Sequence, residues 1–410
     1  MQSKNSVGAR IGMLVFATSG IQFANGFFGT FIALRVALED FDATMAGLVL
    51  SSYFAGFTVG AFCSGRIIER FGHIRVYAAF AGTVVAATTA MPLVVEPVPW
   101  MILRAIIGFG CAGLFVTTES WLNAKAEPEE RGYVFSIYMV GTFVAIALGQ
   151  LLISRVEIET ATPFNIIVVL FAAALVLVST TRAEQPHTVA TQYLPYGQLL
   201  RLAPVAVGGA ALSGLIGGAF YALVPVWMQD EGFERETIGL FMLVAVLGGL
   251  AFQIPVGRLS DRFDRRIVLV VLSTALAATA VALVRLPHSA LLVLPAAVLF
   301  GGLMSTLYPV CVAHAHDRLP ADRVVAVSSR LILASGCGSV MGPLVGMSLL
   351  RRFDIDGVYY LMAAAALVLA VLSVGGSLTS AAPLHVERTF KILAPQPTPL
   401  AHDPGGMADE

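Results

Sequence analysis

Apolar residues fill this chain in stretches too long for the core of a soluble domain, punctuated by charges and prolines. In the first half they cover roughly 11–38, 45–64, 76–95, 98–120, 132–154 and 164–181, and in the second 203–227, 237–256, 267–285, 290–313, 325–350 and 357–379. A helix needs about 20 apolar residues to cross a bilayer, and lipid offers no partner to an open backbone. Each stretch therefore predicts a membrane-spanning helix. A barrel is excluded, because its strands would be about 10 residues long with alternating polarity. The first stretch is longer than a signal-peptide core and shows no clear small-residue cleavage site, so it reads as a retained first helix.

Composition narrows the class further. Only 12% of the 410 residues are charged against 57% hydrophobic, too few charges to coat a soluble protein of this length. A net charge of −1 and the lack of a basic stripe exclude a nucleic-acid partner. Cys63, Cys111, Cys311 and Cys337 lie in or beside apolar stretches without metal or redox spacing and read as small packing residues. No phosphate-cradling glycine loop, nucleophile elbow or HExxH zinc pair is present, so no enzyme, metal or cofactor is expected. Any work done must draw on gradients.

A charged, glycine-bounded sequence occurs twice, 192 residues apart. The first copy is Gly65-Arg66-Ile67-Ile68-Glu69-Arg70-Phe71-Gly72-His73-Ile74-Arg75, and the second is Gly257-Arg258-Leu259-Ser260-Asp261-Arg262-Phe263-Asp264-Arg265-Arg266. The same ungapped shift maps Gly26 onto Gly218, Gly47 onto Gly239, Gly56 onto Gly248, Pro128 onto Pro320 and Arg131 onto Arg323. Shared glycines, prolines and loop charges are backbone and topology signals. They predict an all-α membrane protein of twelve transmembrane helices in two pseudo-symmetric six-helix bundles. The expected parts are an N-terminal bundle at 1–181, a linker at 182–202, a C-terminal bundle at 203–380 and a disordered, proline-dotted tail at 381–410. Of the basic residues, Arg35, Arg155, Arg235, Arg285, Arg351 and Arg352 flank one side, Arg104 lies within a span, and all the others fall on the side of the termini. The positive-inside rule then places both termini in the cytoplasm.

With its twelve spans, two halves and repeated charged motif, the chain resembles the major facilitator superfamily. Gly65, Glu69, Arg70, Gly72 and Arg75 occupy that family's motif between helices 2 and 3; in the second copy Gly257, Asp261 and Arg262 fit while Asp264 replaces the inner glycine. The resemblance implies a gate in which this segment latches the halves on the cytoplasmic face, with Glu69 near Val325 at the start of helix 11. Pseudo-symmetry places Asp261 near Gly132 at the start of helix 5. A carboxylate against a helix N-terminus suits that task, although charges that merely fix topology would leave the same sequence.

Helix 4 carries a second resemblance. Arg104, Gly108, Gly110 and Ala112 follow the pattern of proton-coupled members, with Ile107 where glutamine is common, so Arg104 and Gly108 are the coupling candidates. An intramembrane charge costs at least about 2.5 kcal/mol and usually faces protein or a watery cavity; Arg104 could otherwise snorkel to the external surface, about 9 Å from Val98. Glu119 lies about 22 Å further along the same helix, too far to pair with Arg104. It either accepts a proton in a buried setting or completes the latch by pairing with the arginines of 65–75, the latter being favoured.

In helix 11, Gly338, Gly342, Pro343 and Gly346 form a GxxxGPxxG pattern suited to close packing and flexing. Gly209, Ser213 and Gly217, followed by Tyr221 and Pro225, suit a helix 7 that rocks. Gln22, Asn25, Tyr53, Tyr138, Gln150, Tyr221, Gln253 and Tyr308 are the mid-span polar groups that could bind a substrate; buried amides can equally bond only between helices. His314 and His316 read as solvated loop histidines. The expected function is a secondary active transporter moving a small organic molecule across the bacterial inner membrane by alternating access, as a monomer and by proton-coupled export. The alternatives are an importer or uniporter of a neutral or anionic metabolite, and a non-transporting sensor or scaffold on the same fold.

Overall fold

Apolar length dictates helix, and the computed structural model is helical throughout its long apolar stretches. It describes residues 2–39, 41–125, 130–179, 196–318, 324–353 and 356–379, with Leu393. The first six helices are α1 (Gln2–Leu38), α2 (Ala43–Phe71), α3 (His73–Ala90), α4 (Pro97–Lys125), α5 (Arg131–Gly149) and α6 (Thr162–Ser179). The second six are α7 (Pro204–Asp230), α8 (Arg235–Arg262), α9 (Arg265–Arg285), α10 (Ala290–His316), α11 (Val324–Phe353) and α12 (Gly357–Thr379). A short helix, Tyr196–Leu202, leads into α7, and 3-10 turns at Met91–Leu93 and Gln150–Arg155 extend α3 and α5. Among the described residues, 12 helices are long and apolar enough to cross a membrane. The expected linker at 182–202 is described only in its last part, the helix Tyr196–Leu202, and the tail (Leu393 apart), Pro128, Pro320 and Arg323 lie outside the described residues.

The helices run past their apolar windows, which corrects the expected motif loops. Gly65 to Phe71 forms the last two turns of α2, and Gly257 to Arg262 ends α8. Between α2 and α3 only Gly72 intervenes, with φ of 80°, a conformation that L side chains avoid. The second copy turns differently. Asp264, at φ −55°, accepts a hydrogen bond from the Arg266 amide at 2.8 Å and caps α9, so no glycine is required there. α10 likewise continues to His316; His314 is only 5% exposed, and His316 Nε2 bonds Ser328 Oγ at 3.0 Å, so neither is a solvated loop residue.

Glycine contacts display the pseudo-twofold. A Cβ on Gly56 would strike the Ala105 carbonyl and one on Gly108 the Tyr53 carbonyl, drawing α2 onto α4. In the second half Gly248 meets the Val298 carbonyl and Gly301 the Ala245 carbonyl, drawing α8 onto α10. The pairing of α1 with α5 repeats in the same way: Gly26 against Ile146 and Gly149 against Phe23 correspond to Gly218 against Ser339 and Gly342 against Leu215 in α7 and α11. These correspondences correct the ungapped register. The shift of 192 holds for α1, α2 and α3, whereas α4 and α5 match α10 and α11 at 193, so Arg131 corresponds to Val324.

The halves meet at the face opposite the repeated motif. Gly47 of α2 lies against Pro343 and Met347 of α11, and its counterpart Gly239 of α8 lies against Gln150 and Ile153. Ser51 Oγ donates to the Val340 carbonyl at 2.8 Å. Arg235 pairs with Glu159 at 2.5 Å, while Arg35 of α1 donates to the carbonyls of Ile158 and Glu159 and so steadies the same segment. The Glu159 carboxyl is held below its usual range by a hydrogen bond from its own backbone and by Arg235. Nearer the middle, Phe143, Ile146 and Ala147 of α5 pack on Val246 of α8, and Gly336 abuts Thr58.

Candidate functional site

Arg104 sits two turns inside α4, and the Gly108 approach brings α2 close enough to lay Tyr53 across it. Its guanidinium carbon is 4.6 Å from the Tyr53 ring centroid and 5.3 Å from that of Phe28 in α1. Aromatic faces attract a cation by about 0.5–2 kcal/mol. Arg104 is 4% exposed, so it does not snorkel to the surface. Its Nε has no hydrogen-bond partner, and among the described residues no carboxylate lies within 4.0 Å of it.

A chamber of two lobes opens between the bundles. One lobe is lined by Gln22, Asn25, Thr30, Tyr53, Arg104 and Gln150, with Phe54 and Tyr221 at its boundary. The other is lined chiefly from α7, α10 and α11 by Ser213, Gly217, Ser305, Tyr308, Ser335 and Ser339, and shares Phe54 and Tyr221 with the first.

Of the polar residues expected here, Gln22, Asn25, Tyr53, Gln150, Tyr221 and Tyr308 line the chamber. Tyr138 and Gln253 do not. Tyr138 donates to Glu119 Oε1 at 3.4 Å, and Gln253 is buried, donating to the Ser305 carbonyl at 3.3 Å. Gln150 is structural as well as lining, since it accepts from Thr30 Oγ1 at 2.7 Å and donates to the Gly26 carbonyl at 2.9 Å, tying α1 to α5. Tyr53 donates its hydroxyl to Asn25 Oδ1 at 3.1 Å. Gln22 Oε1 is buried without a partner.

The small residues of α7 do two jobs. Ser213, Gly214, Gly217 and Gly218 all line the chamber, but Gly214 and Gly218 also press on Ser335 and Ser339 of α11, whereas a Cβ on Gly217 would meet nothing. Gly338 and Gly342 are likewise pressed onto Ala211 and Leu215, and Gly346 meets Leu223, a packing role for this part of the GxxxGPxxG run; Pro343 lies within the uninterrupted helix α11.

The pseudo-twofold does not extend to polarity. Positions matching Gln22, Asn25, Thr30, Tyr53, Arg104 and Gln150 hold Gly214, Gly217, Ala222, Ala245, Ala297 and Pro343. One lobe carries a charge and amides; the other is walled by small and aromatic side chains.

At the motif face, Glu69 and Arg70 are exposed, Arg70 lies 5.2 Å from the Phe71 ring centroid, and no ion pair of Glu69 occurs among the described residues. The Val325 side chain expected opposite Glu69 is outside the described set. Asp261 pairs at 3.3 Å with Arg265, which also binds Asp317 at 2.5 Å and Ser260 at 2.8 Å, all in the second half. Glu119 is 1% exposed with Oε2 unpartnered; it pairs with none of Arg66, Arg70 or Arg75.

Two bundles enclosing a chamber that is sealed at one face define the architecture of a membrane transporter. The Major Facilitator Superfamily model matches residues 14–249 and 206–391, and the chain belongs to that family. It is 32% identical over 337 residues to the uncharacterized MFS-type transporter YcaD of Escherichia fergusonii, covering 82% of this chain and 87% of the relative. A second uncharacterized MFS-type transporter, Ent638_1421 of an Enterobacter species, is 32% identical over 377 residues, 91% of this chain and 93% of its own. The fold superposes on the nucleoside transporter NupG with a TM-score of 0.73 at 15% identity, covering 90% of this chain and 100% of that one. An auto-inhibited POT family peptide transporter gives 0.70 at 13% identity, covering 93% and 99%. This is a multi-pass membrane protein and a transporter of the MFS type.

Proposed function

We propose that the protein is a proton-coupled exporter of small organic molecules in the bacterial inner membrane, acting as a monomer with both termini in the cytoplasm. The observation that carries the coupling is Glu119, a buried carboxyl in α4 that accepts a hydrogen bond from Tyr138 and has no ion-pair partner among the described residues. An ionisable group buried inside a membrane bundle is a candidate proton carrier. The sealed face then corresponds to the outside and the motif face to the cytoplasm, which makes this an inward-facing arrangement. Closing that face would bring Glu69 toward the start of α11 and Asp261 toward the start of α5, the latch expected from the repeated motif. The chamber's aromatic walls suit amphiphilic molecules loading from the cytoplasmic side, in keeping with export.

A substrate drives the cycle only by binding its states differently. In the proposed cycle the substrate occupies the chamber while Glu119 exchanges its proton through the same rocking motion. The test is reconstitution into vesicles carrying an internal pH dye, challenged in turn with amphiphilic anions, cations and neutral compounds. Substrate movement with opposite proton movement in the wild type, and loss of the proton component in Glu119→Gln, supports the proposal. Flux indifferent to a pH gradient, with Glu119→Gln matching the wild type, overturns the coupling; proton movement in the same direction as substrate overturns export.

A further inference from the structure

The chamber's charge and shape narrow what it holds. Among the described residues lining the two lobes there is no Asp or Glu, and Arg104 supplies the sole formal charge. That charge is buried, lies over the rings of Tyr53 and Phe28, and pairs with no carboxylate among the described residues. A ring under the cation uses none of its conventional hydrogen bonds, and the N–H groups of a guanidinium lie in its plane in a fork that matches the two oxygens of a carboxylate. Arg104 Nε is without a partner, as is the nearby lining group Gln22 Oε1. A buried cation left uncompensated is costly, and a site built that way gains by admitting the missing anion.

The second lobe says what the anion is attached to. Its walls include Phe54, Phe57, Tyr221 and Tyr308, and Gly214 and Gly217 stand where the first half carries Gln22 and Asn25. There is room for a flat apolar body but no second charge to balance another anionic group.

Resting on the transporter reading above, we propose that the substrate is an organic monoanion, a carboxylate whose head pairs with Arg104 in the polar lobe and whose aromatic or aliphatic body lies between Tyr221 and Tyr308. Arg104 is then the charge-selecting residue. Gln22 supplies an acceptor for a hydroxyl or amide N–H next to the carboxylate.

The test separates binding from transport. Purified protein in detergent is titrated with benzoate, 2-naphthoate, phenylacetate, octanoate and decanoate, each beside its primary amide and its amine of equal length, with binding read by calorimetry and by the shift in Tm. The proposal expects at least one carboxylate to bind about tenfold or more tightly than its amide and amine, the scale of a charged hydrogen bond. Arg104→Gln should lose that preference and Arg104→Lys should recover part of it. A monodisperse Arg104→Gln with a cooperative thermal transition shows that the fold survives. If no carboxylate binds, if amines bind better, or if Arg104→Gln keeps the anion preference, the assignment is wrong. Carboxylate binding that depends on Arg104 without flux in vesicles would uphold it while overturning the transporter reading.

Discussion

Arg235 at the start of α8 and Glu159 ahead of α6 join the two halves through an ion pair at 2.5 Å, directly across the sealed face. Both side chains are about half exposed, at 42% and 54%, so the pair contributes little to the stability of the fold. In the proposed orientation, removing it by Arg235→Ala or Glu159→Ala should raise the population open to the outside by about fivefold or less, since exposed pairs are worth under about 1 kcal/mol. Alkylation of a cysteine placed at Gly47 or Gly239, from the external side of intact cells, measures that population. Rates equal to the parent cysteine variant would deny the pair a gating role.

Tyr53 performs two tasks that substitution can separate. Tyr53→Phe keeps the ring over Arg104 and removes the hydroxyl that bonds Asn25, a cost of about 1 kcal/mol. Tyr53→Leu also loses the cation–π contact, a further ~0.5–2 kcal/mol. The order of Tm should therefore be wild type, then Phe, then Leu. Equal values for the Phe and Leu variants would mean that the ring does not stabilise the guanidinium.

Gly108 and Gly82 make opposite forecasts for one added methyl. At Gly108 the new carbon meets the Tyr53 backbone, which cannot move aside cheaply, so Gly108→Ala should destabilise by about 1–3 kcal/mol and displace Tyr53 from Arg104. At Gly82 nothing lies within 4 Å, and alanine is the better helix former by up to ~1 kcal/mol. Thermal unfolding of the two variants in one detergent checks both signs.

Asp264 gives a pH dependence outside the spans. Hydrogen bonds from the Arg266 side chain hold its carboxyl below the usual range, aided by the Arg266 amide and charge. A carboxyl depressed in the folded state contributes stability above its unfolded value of about 4, and that contribution is lost as pH falls through the lower folded value. Asp264→Ala should thus lower Tm at pH 7 and show a smaller further loss on acidification than the wild type. Parallel Tm curves would exclude the linkage.

Twelve spans and two matched halves were legible in the sequence because lipid leaves helix as the only solution for long apolar runs, and because glycine marks close backbone approach. Arg104 was legible for the same reason: a lone charge in such a run needs a purpose. The chamber wall was less so. Gly214 and Gly217 look alike in sequence, yet one is crushed against α11 and the other lines empty space, and helical periodicity cannot say which face meets a neighbour. Tyr138 and Gln253 were drawn toward the chamber by their polarity alone, while their partners, Glu119 and the Ser305 carbonyl, lie inside single bundles. Thr30 and Phe28 gave no signal, since threonine and phenylalanine are ordinary in such helices. The motif's helical course was hidden by its charges, which end the apolar window two turns before the helix stops.

The glycine close approaches occur in both halves and the chamber's charge and amides in one, so the residues that set geometry and those that set selectivity form separate inventories. A chain with this division can change cargo by editing a few side chains on α1, α2 and α4, leaving the hinge architecture inherited from the duplication untouched.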